Sequence, residues 1–234
     1  MPDSKPDSKI DEFGERIRET VEDIKPKLRG WLHAATAPLA LISFLVLLVL
    51  TESRNARIAV AIFMLSALLL FGVSAVYHTV PWREGVKQVL RRLDHSNIFI
   101  MIAGSYTPFS ILLLDTQQAT VLLTLVWGGA LLGVLFKVFW LSAPRWVYVP
   151  LYLALGWAAL IYLPDFYATA SPIVFAMLVG GGLLYTIGAL VYGFKWPDPN
   201  PRWFGYHEVF HAFTIAAFIV HYIGISILIY TTGR

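Results

Sequence analysis

The sequence predicts an all-α membrane protein of seven transmembrane helices, with its N-terminus cytoplasmic and its C-terminus outside. Three observations predict it. The chain is 57% hydrophobic and only 14% charged, where a soluble domain carries about 25% charged residues. Five stretches (39–50, 58–82, 98–114, 117–136 and 146–163) contain no Asp, Glu, Lys or Arg, and about 20 apolar residues cross a bilayer as a helix. The basic residues are also segregated. With the N-terminus inside, the inner segments hold 15 Lys and Arg and the outer ones 3, the asymmetry that marks cytoplasmic loops. Without the N-terminal tail the ratio is 8 to 3 and keeps its sign.

The same composition excludes several classes. There is no cysteine, hence no disulfide framework, thiolate ligand or cysteine nucleophile. The pI near 9.1 belongs to the basic loops of a membrane protein. Membrane lipids are the expected partners and nucleic acid is not. The first thirty residues mix charges of both signs and lack the apolar core of a secretory signal. The expected location is the cytoplasmic (cell) membrane, with several passes.

Two regions are expected: a cytoplasmic tail over 1–29 and the seven-helix domain over 30–234. Residues 1–9 are rich in Pro, Asp, Ser and Lys, a composition that does not fold alone. Ile10, Phe13, Ile17, Val21, Ile24 and Leu28 then recur at helical spacing, one apolar stripe of a short helix. Ser8 with Asp11 resembles a capping box, and Pro26 ends or kinks the helix. Two placements fit: on the membrane surface, or against the protein's own loops, since its polar face mixes acids with bases.

The spans are expected at about 32–50, 57–79, 95–114, 118–139, 147–163, 172–194 and 207–230. Pro38, Pro108 and Pro172 fall inside or at the edges of spans, which bundles in lipid tolerate. Gly129-xxx-Gly133 and Gly180-Gly181-Gly182 allow close helix contact within the chain. Trp31, Trp82, Trp140, Trp146, Trp196 and Trp203 sit near span ends, as interfacial belts do.

Span order then gathers the polar residues. His78 ends the second span, Asp94 and His95 open the third, and His207 and His211 open the seventh, all at the cytoplasmic face. Ser74 lies on the same helix face as His78, one turn deeper. His207 and His211 differ by about 40° in direction and about 6 Å in height, so they can share one ion. Three histidines with an open position suit a catalytic zinc, whose bound water has a pKa of about 7. Asp94 would bond that water, orient a histidine or act as general base. Alternatively it caps the third helix or pairs with Arg91 or Arg92. Ser74 would bond the water or a substrate carbonyl, or else its own helix backbone.

His207-Glu208-Val209-Phe210-His211 also matches the zinc-protease pattern His-Glu-x-x-His. The downstream helix has no acidic third ligand, and His221 lies about 15 Å further along. Glu208 is therefore expected to face the inner loops, and His221 to make a buried hydrogen bond. His33, at the inner end of the first span, could line the site, but packing at the interface is the role expected of it. His95 points about 100° away from Asp94 and is expected outside the ligand set.

Ser74-Ala-Val-Tyr-His78, then Leu93-Asp94-His95-Ser96-Asn97 leading to Gly104-Ser105-Tyr106-Thr107-Pro108, then His207-Glu-Val-Phe-His211 with His221-Tyr-Ile-Gly, resemble the hemolysin III branch of the progestin and adipoQ receptor family. The resemblance covers roughly residues 30–234. It implies an N-in seven-helix bundle with zinc near the cytoplasmic face, held by His78, His207 and His211 and accompanied by Ser74 and Asp94. The wider superfamily includes ceramidases, which implies hydrolysis of a lipid or acyl amide, with Asp94 and Ser74 as catalytic residues. A second expectation is a non-enzymatic regulator or sensor of membrane homeostasis with structural zinc. A third, carried by the family's name, is a cytolytic pore-former. The chain departs from the family at the first span: Leu28-Arg-Gly-Trp-Leu-His33 lacks the Glu and Asn that often precede the histidine.

Overall fold

The structure is a computed structural model and describes residue 28 and residues 30–232. The amphipathic helix expected over Ile10 to Leu28 lies outside the described residues, save for Leu28 itself. Among the described residues the elements are α1 (Trp31–Leu50), α2 (Arg54–Thr79), α3 (Glu84–Leu113), α4 (Thr116–Phe139), α5 (Arg145–Gly156), a 3-10 turn (Ala158–Tyr162), α6 (Leu163–Thr169), α7 (Pro172–Phe194) and α8 (Tyr206–Thr232). With α5, the 3-10 turn and α6 taken as one span, seven segments among the described residues are long and apolar enough to cross a membrane. The protein is thus a multi-pass membrane protein.

Neighbours in sequence are neighbours in space, and α8 packs on both α7 and α1. α3 sits inside this ring, touching α2, α4, α5, α6 and α8. It is the least apolar span, at a mean hydropathy of 1.4, yet 78% of its apolar window is buried against 22–50% for the others. The reason is chemical. Ser96, Asn97, Ser105, Thr107 and Ser110 on α3 are all buried, and such groups are costly against lipid. Inside the bundle the Asn97 amide donates to the Leu69 carbonyl at 2.9 Å. Small residues let the helices approach: a Cβ on Gly104 would overlap Ser66.

The expected glycine contacts are contacts within the chain. A Cβ at Gly133 of α4 would meet the Phe99 ring of α3, and one at Gly181 would meet the His221 ring. Gly133→Leu should therefore separate α3 from α4 and cost about 1–3 kcal/mol, as overpacking does. A lowered melting temperature of the detergent-solubilised protein would register it. Gly128→Leu is the control, because nothing lies within 4 Å of a Cβ there.

Two spans differ from expectation. α3 begins at Glu84, well before the expected residue 95. Val86, Val89, Leu90 and Leu93 continue its helical apolar stripe, but Arg91, Arg92 and Lys87 among them lower the local hydropathy. Asp94 is consequently inside a helix and is not an N-cap. The fifth span is longer than expected and broken at Trp157. The break leaves backbone groups without helical partners, and one tyrosine supplies them. The Tyr106 hydroxyl donates to the Gly156 carbonyl at 2.6 Å and accepts from the Ala159 amide at 2.9 Å. Irregular backbone at membrane depth survives only with such internal partners.

Candidate metal centre

Four helices meet at one end of the bundle: α2 stops there, α1 and α8 start there, and α3 passes by with Asp94. The N-terminus of α8 is fixed by two carboxylates. Asp198 accepts from the Tyr206 amide and Glu208 from the Gly205 amide, both at 2.8 Å. Acceptors at a helix N-terminus satisfy donors that the helix cannot. Glu208 is fully buried in this role, so it is turned toward the preceding loop but is not exposed to solvent there.

This start presents His207 and, one turn on, His211 to His78 at the end of α2. One ring nitrogen from each of the three histidines can be chosen so that all lie within 4.8 Å of one another. The ring centroids of His207 and His211 are 4.5 Å apart, and that of His78 is 5.0 Å from His207 and 5.5 Å from His211. The grouping is one that could hold a metal ion. A tetrahedral centre with bonds of about 2.0–2.1 Å holds its nitrogens roughly 3.3 Å apart. Three imidazoles with a carboxylate at hand also match the donor preferences of a borderline-soft divalent ion.

Asp94 lies beside the group, its Oδ2 3.7 Å from His78 Nε2. Its ion-pair contact is thus to His78, and neither Arg91 nor Arg92 provides one. The Ser74 hydroxyl is buried and bonds nothing on its own helix, unlike Ser66 and Thr79, which bond carbonyls four residues back. Ser74 and Asp94 both line the cavity that His207 and His211 line.

Of the two placements open to His33, the structure has the one beside the site, where it lines the same cavity. It does not pack at an interface: it is 2% exposed and stacks on His211, with centroids 3.9 Å apart and planes at 14°. The available signal was its place at the same end of a span as the other histidines. Gly30, just before α1, has φ +86°, and a Cβ there would stand 2.7 Å from the His78 Cβ. The start of α1 is therefore laid directly over the histidine group, which only glycine permits.

His95 stands outside the group. Its Nδ1 donates to the Arg91 carbonyl at 2.7 Å, and its Nε2 accepts from the Tyr192 hydroxyl at 3.5 Å. His221 bonds the Leu178 carbonyl, deep in the bundle. The cavity runs from His207 and His211 to His221, with about 1060 Å³ of empty space including its open mouth. Its walls are mostly apolar and aromatic.

Seven spans around a buried cavity, with a histidine triad at one end, define a polytopic membrane protein with a candidate metal centre. A family model described as "Haemolysin-III related" matches residues 22–222, and the chain belongs to that family, within the progestin and adipoQ receptor superfamily. It is 34% identical over 158 residues to "Hemolysin-3 homolog" of Bacillus subtilis (strain 168), covering 68% of this chain and 71% of that one. It is 25% identical over 205 residues to "Hemolysin-3" of Bacillus cereus, covering 86% and 90%. It is also 27% identical over 193 residues to "Adiponectin receptor protein" of Drosophila melanogaster, covering 73% of this chain and 42% of that protein.

Proposed function

We propose that His78, His207 and His211 hold a zinc ion at the cytoplasmic end of the bundle, and that the protein hydrolyses the amide bond of a lipid or acyl amide. The histidine group beside Asp94, at the end of a largely apolar cavity, carries this reading. The cytoplasmic placement rests on the distribution of Lys and Arg, 15 against 3. Zinc bound there supplies Lewis acidity and an acidified water. The chain's own residues do the rest. Asp94 takes the proton from the attacking water and returns it to the leaving amine. Ser74 donates a hydrogen bond to the scissile carbonyl. The cavity wall holds the acyl chain, and the start of α1, laid over His78, limits the access of bulk water.

The test is release of fatty acid from a panel of lipid amides by the purified protein, followed by mass spectrometry with and without chelator. Chelator-sensitive release supports the hydrolase. A protein that holds stoichiometric metal but stays silent over a broad panel supports the second reading, a regulator of membrane state with structural zinc. That reading draws on Asp94, whose carboxylate lies 3.7 Å from His78, and on relatives whose names are receptor names. The lytic reading, which the Bacillus cereus relative's name carries, has less support, because the cavity is walled mainly by apolar and aromatic side chains.

A further inference from the structure

About 15 Å beyond His211 along α8, ten residues on, the cavity becomes polar again. His221 lines it there and is 6% exposed. Its Nε2 donates to the Leu178 carbonyl at 3.1 Å. That bond puts the proton on Nε2 and leaves Nδ1 as an acceptor. Nδ1 is buried and has no hydrogen-bond partner among the described residues. The hydroxyl of Tyr185, on α7, is buried and equally unpartnered. It belongs to the same cavity wall, and the two rings lie 5.7 Å apart. At this depth neither group can turn to bulk water for a partner.

The place is built for the ring. Gly181 leaves the space it occupies, since a Cβ there would overlap it. Phe109 meets it edge-on at 5.4 Å, and the Leu178 carbonyl sets its tautomer. The break in the fifth span lies alongside, with Gly156 and Trp157 lining both this cavity and the smaller one that continues past His221. The hydrolytic mechanism uses neither His221 nor Tyr185.

We propose that His221 and Tyr185 form a hydrogen-bonding subsite for a hydroxyl carried on the hydrocarbon chain of the bound amphiphile. The hydroxyl donates to His221 Nδ1 and accepts from the Tyr185 hydroxyl. This rests on the reading that the cavity takes a lipid chain with its polar head at the histidine group. The spacing then sets the hydroxyl's position. An extended chain with bonds near 1.5 Å advances about 1.3 Å per carbon, so 15 Å of helix places the hydroxyl roughly twelve carbons from the head. An unsubstituted chain leaves both groups unsatisfied, which is the form of discrimination that buried polar sites achieve.

The test is competition binding of stearic, 2-hydroxystearic and 12-hydroxystearic acids to the full chain in detergent. The 12-hydroxy acid should bind about tenfold more tightly than the other two. Tyr185→Phe, which removes one oxygen and no hydrogen bond seen in the structure, should reduce that preference to about twofold while leaving stearic acid within about twofold of its original affinity. Equal binding of all three acids means that water alone fills the subsite. That result overturns the proposal and leaves the lipid reading standing, as does a preference for the 2-hydroxy acid or a preference unchanged in Tyr185→Phe. Failure of every acid to bind overturns both.

Discussion

His207→Ala should reduce metal retention by more than about a hundredfold, because loss of a mere outer partner of a metal ligand already costs 10–100-fold. His207 contributes one of three nitrogens grouped within 4.8 Å, and His78 and His211 each already supply one of the others. Metal analysis of protein purified without added zinc would show about one ion per chain in the native form and close to none in the variant. Equal metal in the two proteins would remove the triad from consideration. The same site predicts a direction with pH. The ligands bind as neutral imidazoles, so protons compete with the metal. Retention should therefore weaken as the pH is lowered, which metal analysis after dialysis at a series of pH values would show.

Asp94→Asn should separate chemistry from binding. The substitution keeps the size of the side chain and removes its ability to take a proton. Metal content should stay near that of the native protein, while chelator-sensitive amide hydrolysis falls about 10²–10⁴-fold, the usual contribution of a positioned general base. Loss of both metal and turnover would instead make Asp94 a fourth ligand and favour structural zinc. Full activity with full metal would leave the reaction without the base assigned to it. The carboxylate's position 3.7 Å from His78 is what makes the two roles worth separating.

Legibility of the fold tracked the strength of the hydropathy signal. Spans such as α7, expected at 172–194 and observed at Pro172–Phe194, have charge-free interiors and Ser or Pro at the start. The signal weakened where charge enters a helix that continues, as over 84–94, and where a span is interrupted, as at Trp157. There a partner 50 residues away, Tyr106, completes the backbone, and no local pattern announces it.

The histidine group was legible for a related reason. In a bundle of antiparallel spans, position along the sequence gives depth, so His78, Asp94, His207 and His211 could be assigned to one end by counting crossings. Depth is not direction around the axis, however. His33 and His95 lie at that same depth; the structure stacks one on His211 and turns the other toward Tyr192.

By itself the sequence determined the membrane class, the number of spans and the end at which the polar residues collect, because burial in lipid is a one-dimensional constraint on the chain. Only the tertiary structure decided which side chains face one another. It put the least apolar helix at the centre, buried Glu208 at a helix start and joined the histidine group to His221 through one cavity. Those outcomes depend on helix rotation and packing, which set the distances between side chains and which hydropathy does not encode.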